Sequence, residues 1–473
     1  MWKKGLIWLL AAVMFLTMPV MRVNATQNEQ AAEENGAEEE LTEEEKAKKE
    51  QEEAWQKIYD EAPQTDSVKG WPEGPKVWAE GAILMDMKSG AILYAKNSEK
   101  AFYPASITKL LTALVALQNA ELTDVVTGSD SSYDGMDGSY ASLGLQSGEQ
   151  MSLEDALYGL LFASANEFGH AIGESVTDGG YEDFISKMNE EVTELGGVNS
   201  NFVNTNGIQD ENHYTCAYDM ALIGAAVYQI EAFRNIESNL IHDIPATNMS
   251  EARIGITQHD KMMLPENSHY CEYIKAGKTG YTDAAKSTLV SMADNGTLQL
   301  VCVDLSNGKA QIYDDTRAMC DYGFANFKKL ALKENETSED IVSFQEEDAY
   351  VVVPKDVEFS ELEAKLELEG EGREHLATVS YTYKDQPVGH TEVTVSKACY
   401  EKLSGKHGVS VKIADKTQKE GSQITIWNIL LAVAILIVVL FVILCLMLRA
   451  RKKRIMRAKR RHRMRQRREN GEI

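Results

Sequence analysis

Residues 424–448 form a run of 25 residues without a charged side chain, long enough for a helix to cross a hydrocarbon core of about 30 Å. A span fixes the topology of everything around it. Residues 449–468 hold 13 Lys or Arg, opposed only by Glu469 and Glu472, and such an excess keeps its side of a span in the cytoplasm. The chain before the span therefore reads as extracytoplasmic. The N-terminus agrees: Lys3-Lys4, an apolar stretch over 6–20 and Val23-Asn24-Ala25 make the three parts of a secretory signal peptide (1–25), with the mature chain starting near Thr26. An uncleaved N-terminal anchor is the alternative, and it leads to the same side of the membrane.

A length of 473 residues calls for two or three folded units. The formal charge of -25 conceals a basic tail and a still more acidic region before the span, a balance that excludes nucleic acid as a partner and assigns the tail (449–473) to anionic lipid headgroups. Cys216, Cys271, Cys302, Cys320 and Cys399 stand outside the span at wide spacings. They make neither a disulfide framework nor a metal-ligand pattern and read as small buried hydrophobes. Residues 26–66, with Glu38-Glu39-Glu40 and Glu43-Glu44-Glu45 and no aromatic before Trp55, read as an acidic disordered linker. Order is expected from about Trp71.

Apolar stretches at 82–85 and 91–94, parted by Asp86-Met87-Lys88-Ser89-Gly90, predict a β-hairpin. Leu110, Leu111, Leu114, Val115 and Leu117 recur at helical spacing behind Pro104-Ala105, which puts Ser106 at the start of a buried helix. Ser152 with Asp155 predicts a capping box for a second helix, ending near Ala163, and a third stripe begins at Phe168. Ser164-Ala165-Asn166 then occupies a junction from which side chains can enter a cleft. Strands are expected at 287–292 and 298–304, so residues 67–332 read as an α+β domain. Leu362, Ala364, Leu366 and Leu368 alternate with charged residues, and Ala377, Val379, Tyr381 and Tyr383 repeat the pattern before a turn at 385–389. A separate small all-β domain over 333–420 follows.

Three short motifs occur in order: Ser106-Ile107-Thr108-Lys109, Ser164-Ala165-Asn166 and Lys278-Thr279-Gly280. Residues three apart on a helix stack one turn above another, so Lys109 comes beside Ser106. To take a proton from a hydroxyl, that amine must be neutral, which requires burial and nearby positive charge, with Lys278 the candidate. Taken singly, Ser106 is as well explained as a helix cap, Ser164 and Asn166 as turn residues and Lys278-Thr279-Gly280 as a strand edge. Their joint occurrence in this order is not.

With these motifs, and with Asn204-Thr205-Asn206-Gly207-Ile208, Asn212-His213-Tyr214-Thr215 and the string Gly277 to Ala285, the chain resembles the low-molecular-mass penicillin-binding proteins of the D-alanyl-D-alanine carboxypeptidase type. The resemblance implies a β-lactamase/transpeptidase-like α+β domain, an antiparallel sheet flanked by helices with a helical subdomain. It implies a serine-type carboxypeptidase that trims stem peptides ending in D-Ala-D-Ala and is acylated by β-lactams, without metal or cofactor. Carried over, it makes Ser106 the nucleophile, Lys109 the general base, Ser164 a proton relay and Asn166 a clamp on the substrate amide. Lys278 and Thr279 would bind the terminal carboxylate, and the backbone N–H groups of Ser106 and Tyr281, beside Gly280, would form the oxyanion hole.

The family often shows Asn-x-Asn with a basic residue and two leucines where this chain has Gln258-His259-Asp260-Lys261-Met262-Met263. The departure bears on the carboxylate side of the site. His213 reads as structural, since lysine fills the base role. Two other readings share the motifs. A serine β-lactamase would need a second base, for which Glu191 and Glu194 are the nearest acids, but the run expected around such a base is missing. An idle penicillin sensor would need more than the short tail behind the span to pass a signal.

Overall fold

The computed structural model describes residues 42–308, 311–368, 375–404 and 409–411. The signal peptide (1–25), the span (424–448) and the basic tail (449–473) read from the sequence lie outside the described residues. Among the described residues no helix is long and apolar enough to cross a membrane.

The first element is a helix inside the stretch that the sequence reads as a disordered linker. Thr42 Oγ1 accepts the Glu45 N–H at 3.2 Å and the Glu45 carboxylate accepts the Thr42 N–H at 2.8 Å, a reciprocal cap that opens α1 (Glu43–Asp60). Residues 42–51, taken by themselves, are exposed throughout. From Glu52 onward the chain forms one unit, and there the linker expectation fails. Tyr59 stacks on Trp78 at 4.4 Å, and the Lys96 ammonium, 1% exposed, donates to the carbonyls of Ile58 at 2.6 Å and Val77 at 3.0 Å. A buried ammonium needs acceptors, and residues 52–60 supply one despite their acidic composition.

A five-stranded antiparallel sheet follows, built from β1 (Gly81–Asp86), β2 (Ile92–Lys96) and three later strands. The Ser106-Ile107-Thr108-Lys109 motif comes next, in a 3-10 turn (Ala105–Ile107) that leads into α2 (Thr108–Asn119). β3 (Val125–Thr127) and β4 (Gln150–Ser152) pair and bracket the loop 128–149. Ser152 caps α3 (Leu153–Leu161), accepting the Asp155 N–H at 3.1 Å and donating to its carboxylate at 2.7 Å; the helix ends two residues before the expected Ala163. α4 (Asn166–Val176), α5 (Gly180–Glu194), α6 (Ala217–Gln229), α7 (Glu231–Glu237) and the hairpin β5 (Ile241–Ile244) with β6 (Arg253–Thr257) complete the helical side.

β7 (Ile274–Thr282), β8 (Lys286–Asp294) and β9 (Gln299–Asn307) close the sheet in the order β2-β1-β9-β8-β7. Ile83, Met85, Val290, Met292, Val301 and Val303 pack with the helical side, whereas Ala82, Leu84, Leu289, Ala293, Leu300 and Cys302 pack with α8 (Ile312–Asn326). Both faces are covered, which is why these strands read as unbroken apolar runs. β7 is an edge strand, with β2 at the opposite edge.

β10 (Phe327–Ala331) and the short α9 (Leu332–Asn335) precede β11 (Ile341–Phe344) and β12 (Tyr350–Pro354). β10 pairs with β12, so a two-stranded ribbon crosses the expected boundary at 332. β13 (Glu363–Leu368), β14 (Leu376–Tyr383), β15 (Gln386–Val395), a short helix α10 (Lys397–Leu403) and β16 (Val409–Val411) follow. The strands form the sheet β11-β15-β14-β13-β16, and the short helices α9 and α10 depart from an all-β reading. Alternation holds: Ala364 and Leu366 on β13 and Ala377, Val379, Tyr381 and Tyr383 on β14 are buried. The turn before β15 is shorter than the expected 385–389. Lys384 and Asp385 alone make it, at φ +50° and +67°, as a two-residue hairpin turn of the primed kind requires. This domain shares a core with the far face of the first five-stranded sheet. Tyr350 Oη donates to the buried Asp86 at 3.1 Å, and the Gln386 side chain donates to the Ile92 carbonyl at 2.9 Å.

Candidate active site

The turn carrying Ser106 is held from below. Ala105 lies at φ +51°, a conformation that costs a non-glycine residue about 1 kcal/mol or more unless its surroundings enforce it. Thr108 Oγ1 donates to the Ala105 carbonyl at 2.9 Å and stands 2.9 Å from His213 Nε2. Val203 N–H donates to His213 Nδ1 at 3.1 Å. With Nδ1 an acceptor and the threonine proton already committed, Nε2 carries the ring hydrogen and donates to Thr108. Burial lowers the His213 pKa to about 4. His213 is thus a neutral brace under the turn that carries Ser106.

Lys109, fully buried, places Nζ 2.9 Å from Ser106 Oγ, 2.8 Å from Asn166 Oδ1 and 2.7 Å from the Asn206 carbonyl. Its pKa is driven well below the ordinary lysine value, first by burial and then by the Lys278 charge. The two carbonyl oxygens can only accept, so once the amine is neutral they take its two N–H bonds and leave its lone pair facing the Ser106 hydroxyl. The Asn206 carbonyl is a partner that sequence reasoning missed. A backbone oxygen has no signature in sequence, although Asn204-Thr205-Asn206-Gly207-Ile208 marks the loop that presents it.

Ser164, at φ +54° and 8% exposed, and Asn166, the first residue of α4, come from the junction after α3. Asn166 is fixed at both ends of its amide: Nδ2 donates to the Ala141 carbonyl at 3.0 Å while Oδ1 accepts from Lys109. Opposite stands β7. Gly280 approaches so closely that a Cβ there would lie 2.8 Å from the Ser106 nitrogen and 2.4 Å from Thr288 Oγ1, so glycine is needed for space. Ser106, Ser164, Asn166, Thr279, Gly280 and Tyr281 all line one cleft of about 460 Å³. Lys278 is 1% exposed and lies behind it, donating to the Thr279 carbonyl at 2.9 Å.

Behind Lys278 the divergent segment 258–263 acquires a meaning that was not legible in sequence. Asp260 turns inward and is 1% exposed; its Oδ1 accepts the Met262 N–H at 2.9 Å, and a Cβ on Gly277 would lie 2.2 Å from its Oδ2. His259 and Lys261 face the cleft instead. Glu237, at the end of α7 and fully buried, accepts from Gln258 Nε2 at 2.8 Å. One oxygen of each carboxylate, Glu237 Oε1 and Asp260 Oδ2, is buried without a partner. Burial raises Glu237 to about 8 and Asp260 to about 6, while it lowers Lys278 to about 8 against the pull of both acids.

Glu191 and Glu194 lie on α5, away from the cleft. Glu191 accepts from Gln118 Nε2 at 2.9 Å, and no Asp or Glu is among the cleft-lining residues. Among the described residues no group of three His, Cys, Asp or Glu could hold a metal ion. The five described cysteines are buried and free.

Residues 68–308, which hold all three motifs, match the family model described as D-alanyl-D-alanine carboxypeptidase. The D-alanyl-D-alanine carboxypeptidase DacF of Bacillus subtilis is 30% identical over 270 residues, covering 55% of this chain and 66% of that protein, just under two thirds of its length. DacA of Haemophilus influenzae is 29% identical over 316 residues, covering 62% and 76%. Penicillin binding protein 5 from Haemophilus influenzae has a crystal structure that superposes with a TM-score of 0.52 at 25% identity, covering 68% of this chain and 98% of that one. A model match over half the chain, with a serine and a buried lysine meeting in its cleft, identifies this chain as a member of the D-alanyl-D-alanine carboxypeptidase family.

Proposed function

We propose that the protein cleaves the terminal D-Ala from stem peptides ending in D-Ala-D-Ala, with Ser106 as nucleophile and the neutral Lys109 amine as its base. The observation that carries this is the 2.9 Å contact between Ser106 Oγ and Lys109 Nζ. Lys109 takes the hydroxyl proton as Oγ attacks the penultimate D-Ala carbonyl. The N–H groups of Ser106 and Tyr281 receive the developing oxyanion, and Ser164 relays the proton to the leaving amine. Asn166 holds the substrate amide, while Lys278 and Thr279 hold its terminal carboxylate. Water then releases the shortened peptide from Ser106. A penicillin enters by the same steps, but its leaving amine stays tethered in the opened ring and blocks that water.

The same reading places the catalytic domain outside the cell, delivered by residues 1–25 and held at the membrane by 424–448. The support is the charge pattern of both ends, and the tail 449–473 would contact anionic lipid. Mass spectrometry of a pentapeptide digested by the detergent-solubilised protein, with and without penicillin, tests the reaction. The expected product is the tetrapeptide plus free D-alanine, abolished by the drug. An intact pentapeptide together with a penicilloyl adduct on Ser106 would favour an idle receptor.

A further inference from the structure

Glu167 directly follows the Ser-x-Asn motif and stands outside the set of residues that line the cleft. It is 0% exposed and sits in the first turn of the 11-residue helix α4, where the helix dipole favours negative charge. Its Oε1 accepts three donors from one stretch of the loop 128–149: Ser142 Oγ at 2.9 Å, Leu143 N–H at 2.7 Å and Gly144 N–H at 3.1 Å. Its Oε2 is buried without a partner. The loop it grips is the one whose Ala141 carbonyl accepts both the backbone N–H and the Nδ2 of Asn166, each at 3.0 Å. Asn166 Oδ1 in turn accepts from Lys109.

Glu167 is therefore linked to the base by a chain of short contacts through the loop and Asn166. It also acts across space. The titratable groups around Lys109 are Ser106 on its own turn, Lys278 from β7 with Glu237 and Asp260 behind it, His213 under the turn and Glu167 from α4. Tyr133 of the loop interacts electrostatically with Glu167. Lys278 pushes the Lys109 proton off, and Glu167 is the acid that pulls it back.

We propose that Glu167 is a positioning residue for the base, which fixes Asn166 through the loop and stabilises the ammonium that Lys109 becomes on taking the Ser106 proton. This rests on the reading of Lys109 as base. The amine must be neutral before attack and charged after it, so a buried carboxylate nearby favours the later state. Its two oxygens are unequal: Oε1 holds the loop, and Oε2 is buried without a hydrogen-bond partner.

The test is the pH dependence of the second-order rate constant for labelling Ser106 with a fluorescent penicillin, on the full chain in detergent. Glu167→Gln keeps an oxygen for the three donors and removes the charge. Its acid limb should move about one pH unit to lower pH, because Lys109 loses its proton more readily, and its plateau rate should fall about tenfold. An acid limb at the wild-type position, or one displaced upward, overturns the proposal. Glu167→Asp keeps the charge but shortens the reach, so it should slow labelling several-fold without moving the limb. Wild-type speed there would show that Glu167 does not hold the loop, and that arm stands even if the Gln variant fails to fold. Ser106→Ala separates the two levels: persistent labelling in that variant sinks the parent reading, whereas loss of label there with an unmoved Gln limb sinks only this one.

Discussion

Gly207 lies against Ala105 so closely that a Cβ built on the glycine would stand 1.8 Å from the Ala105 carbonyl oxygen. Both residues are in the left-handed region, Gly207 at φ +85° and Ala105 at φ +51°. The neighbour of Gly207 supplies the carbonyl that Lys109 meets, and the neighbour of Ala105 is Ser106. The contact thus sets the spacing between the turn that carries Ser106 and the Lys109 amine. Gly207→Ala should destabilise the domain by about 2–4 kcal/mol through overpacking and backbone strain, and it should slow penicillin labelling out of proportion to the folded fraction. Thermal denaturation and labelling of the same sample check both, and wild-type behaviour in each would remove Gly207 from the support of the site.

Replacing Ser106 by Ala should abolish penicillin labelling and D-alanine release while leaving the melting temperature near that of wild type, since one oxygen is lost. Lys109→Ala should slow acylation by about 100-fold or more, as proton removal fails. An undiminished rate in the lysine variant would make another group the base.

Two lysines set the pH response. Activity should rise with pH as Lys109, held well below the usual lysine range by burial and by Lys278, loses its proton. Lys278, pushed down to about 8 by burial, loses its charge above that pH. KM for a peptide with a free C-terminus should therefore climb above about pH 8 while kcat keeps its plateau. A C-terminally amidated analogue should lack the climb, and equal climbs for both would detach Lys278 from carboxylate binding.

Glu237 and Asp260 link the same cluster to stability. Their folded pKa values, about 8 and about 6, lie above the ordinary 4.5 and 3.8, so the folded state binds more protons between these limits. Their contribution is fully present below the ordinary values and is lost as pH rises toward 8. Urea midpoints should fall between about pH 5 and pH 8, and Glu237→Gln should flatten that fall. A slope unchanged by the substitution would mean that Glu237 is ionised throughout.

Removing residues 42–66 should lower stability by about 2–4 kcal/mol, because the buried Lys96 ammonium loses the Ile58 carbonyl as acceptor and Trp78 loses its stacking on Tyr59. Unfolding curves for chains beginning at 42 and at 67 measure the difference, and identical curves would make this helix dispensable.

What the sequence determined by itself is what local geometry carries. Ser106 and Lys109 meet because they are three residues apart at a helix start, the two sheets are legible as apolar runs and alternation, and the ordered motifs select one superfamily. Tertiary structure decided the rest, because the remaining determinants are distant in sequence or chemically anonymous. The third partner of Lys109 is a backbone carbonyl 97 residues away. Glu167, Glu237 and Asp260 look like surface acids in a chain with 73 Asp and Glu, and only folding shows them stripped of water. The acidic composition of 26–66 predicts disorder, yet one buried lysine, 38 residues beyond Ile58, holds the second half of α1 in place. Composition averages over a segment, whereas a buried charge depends on the few atoms that can reach it.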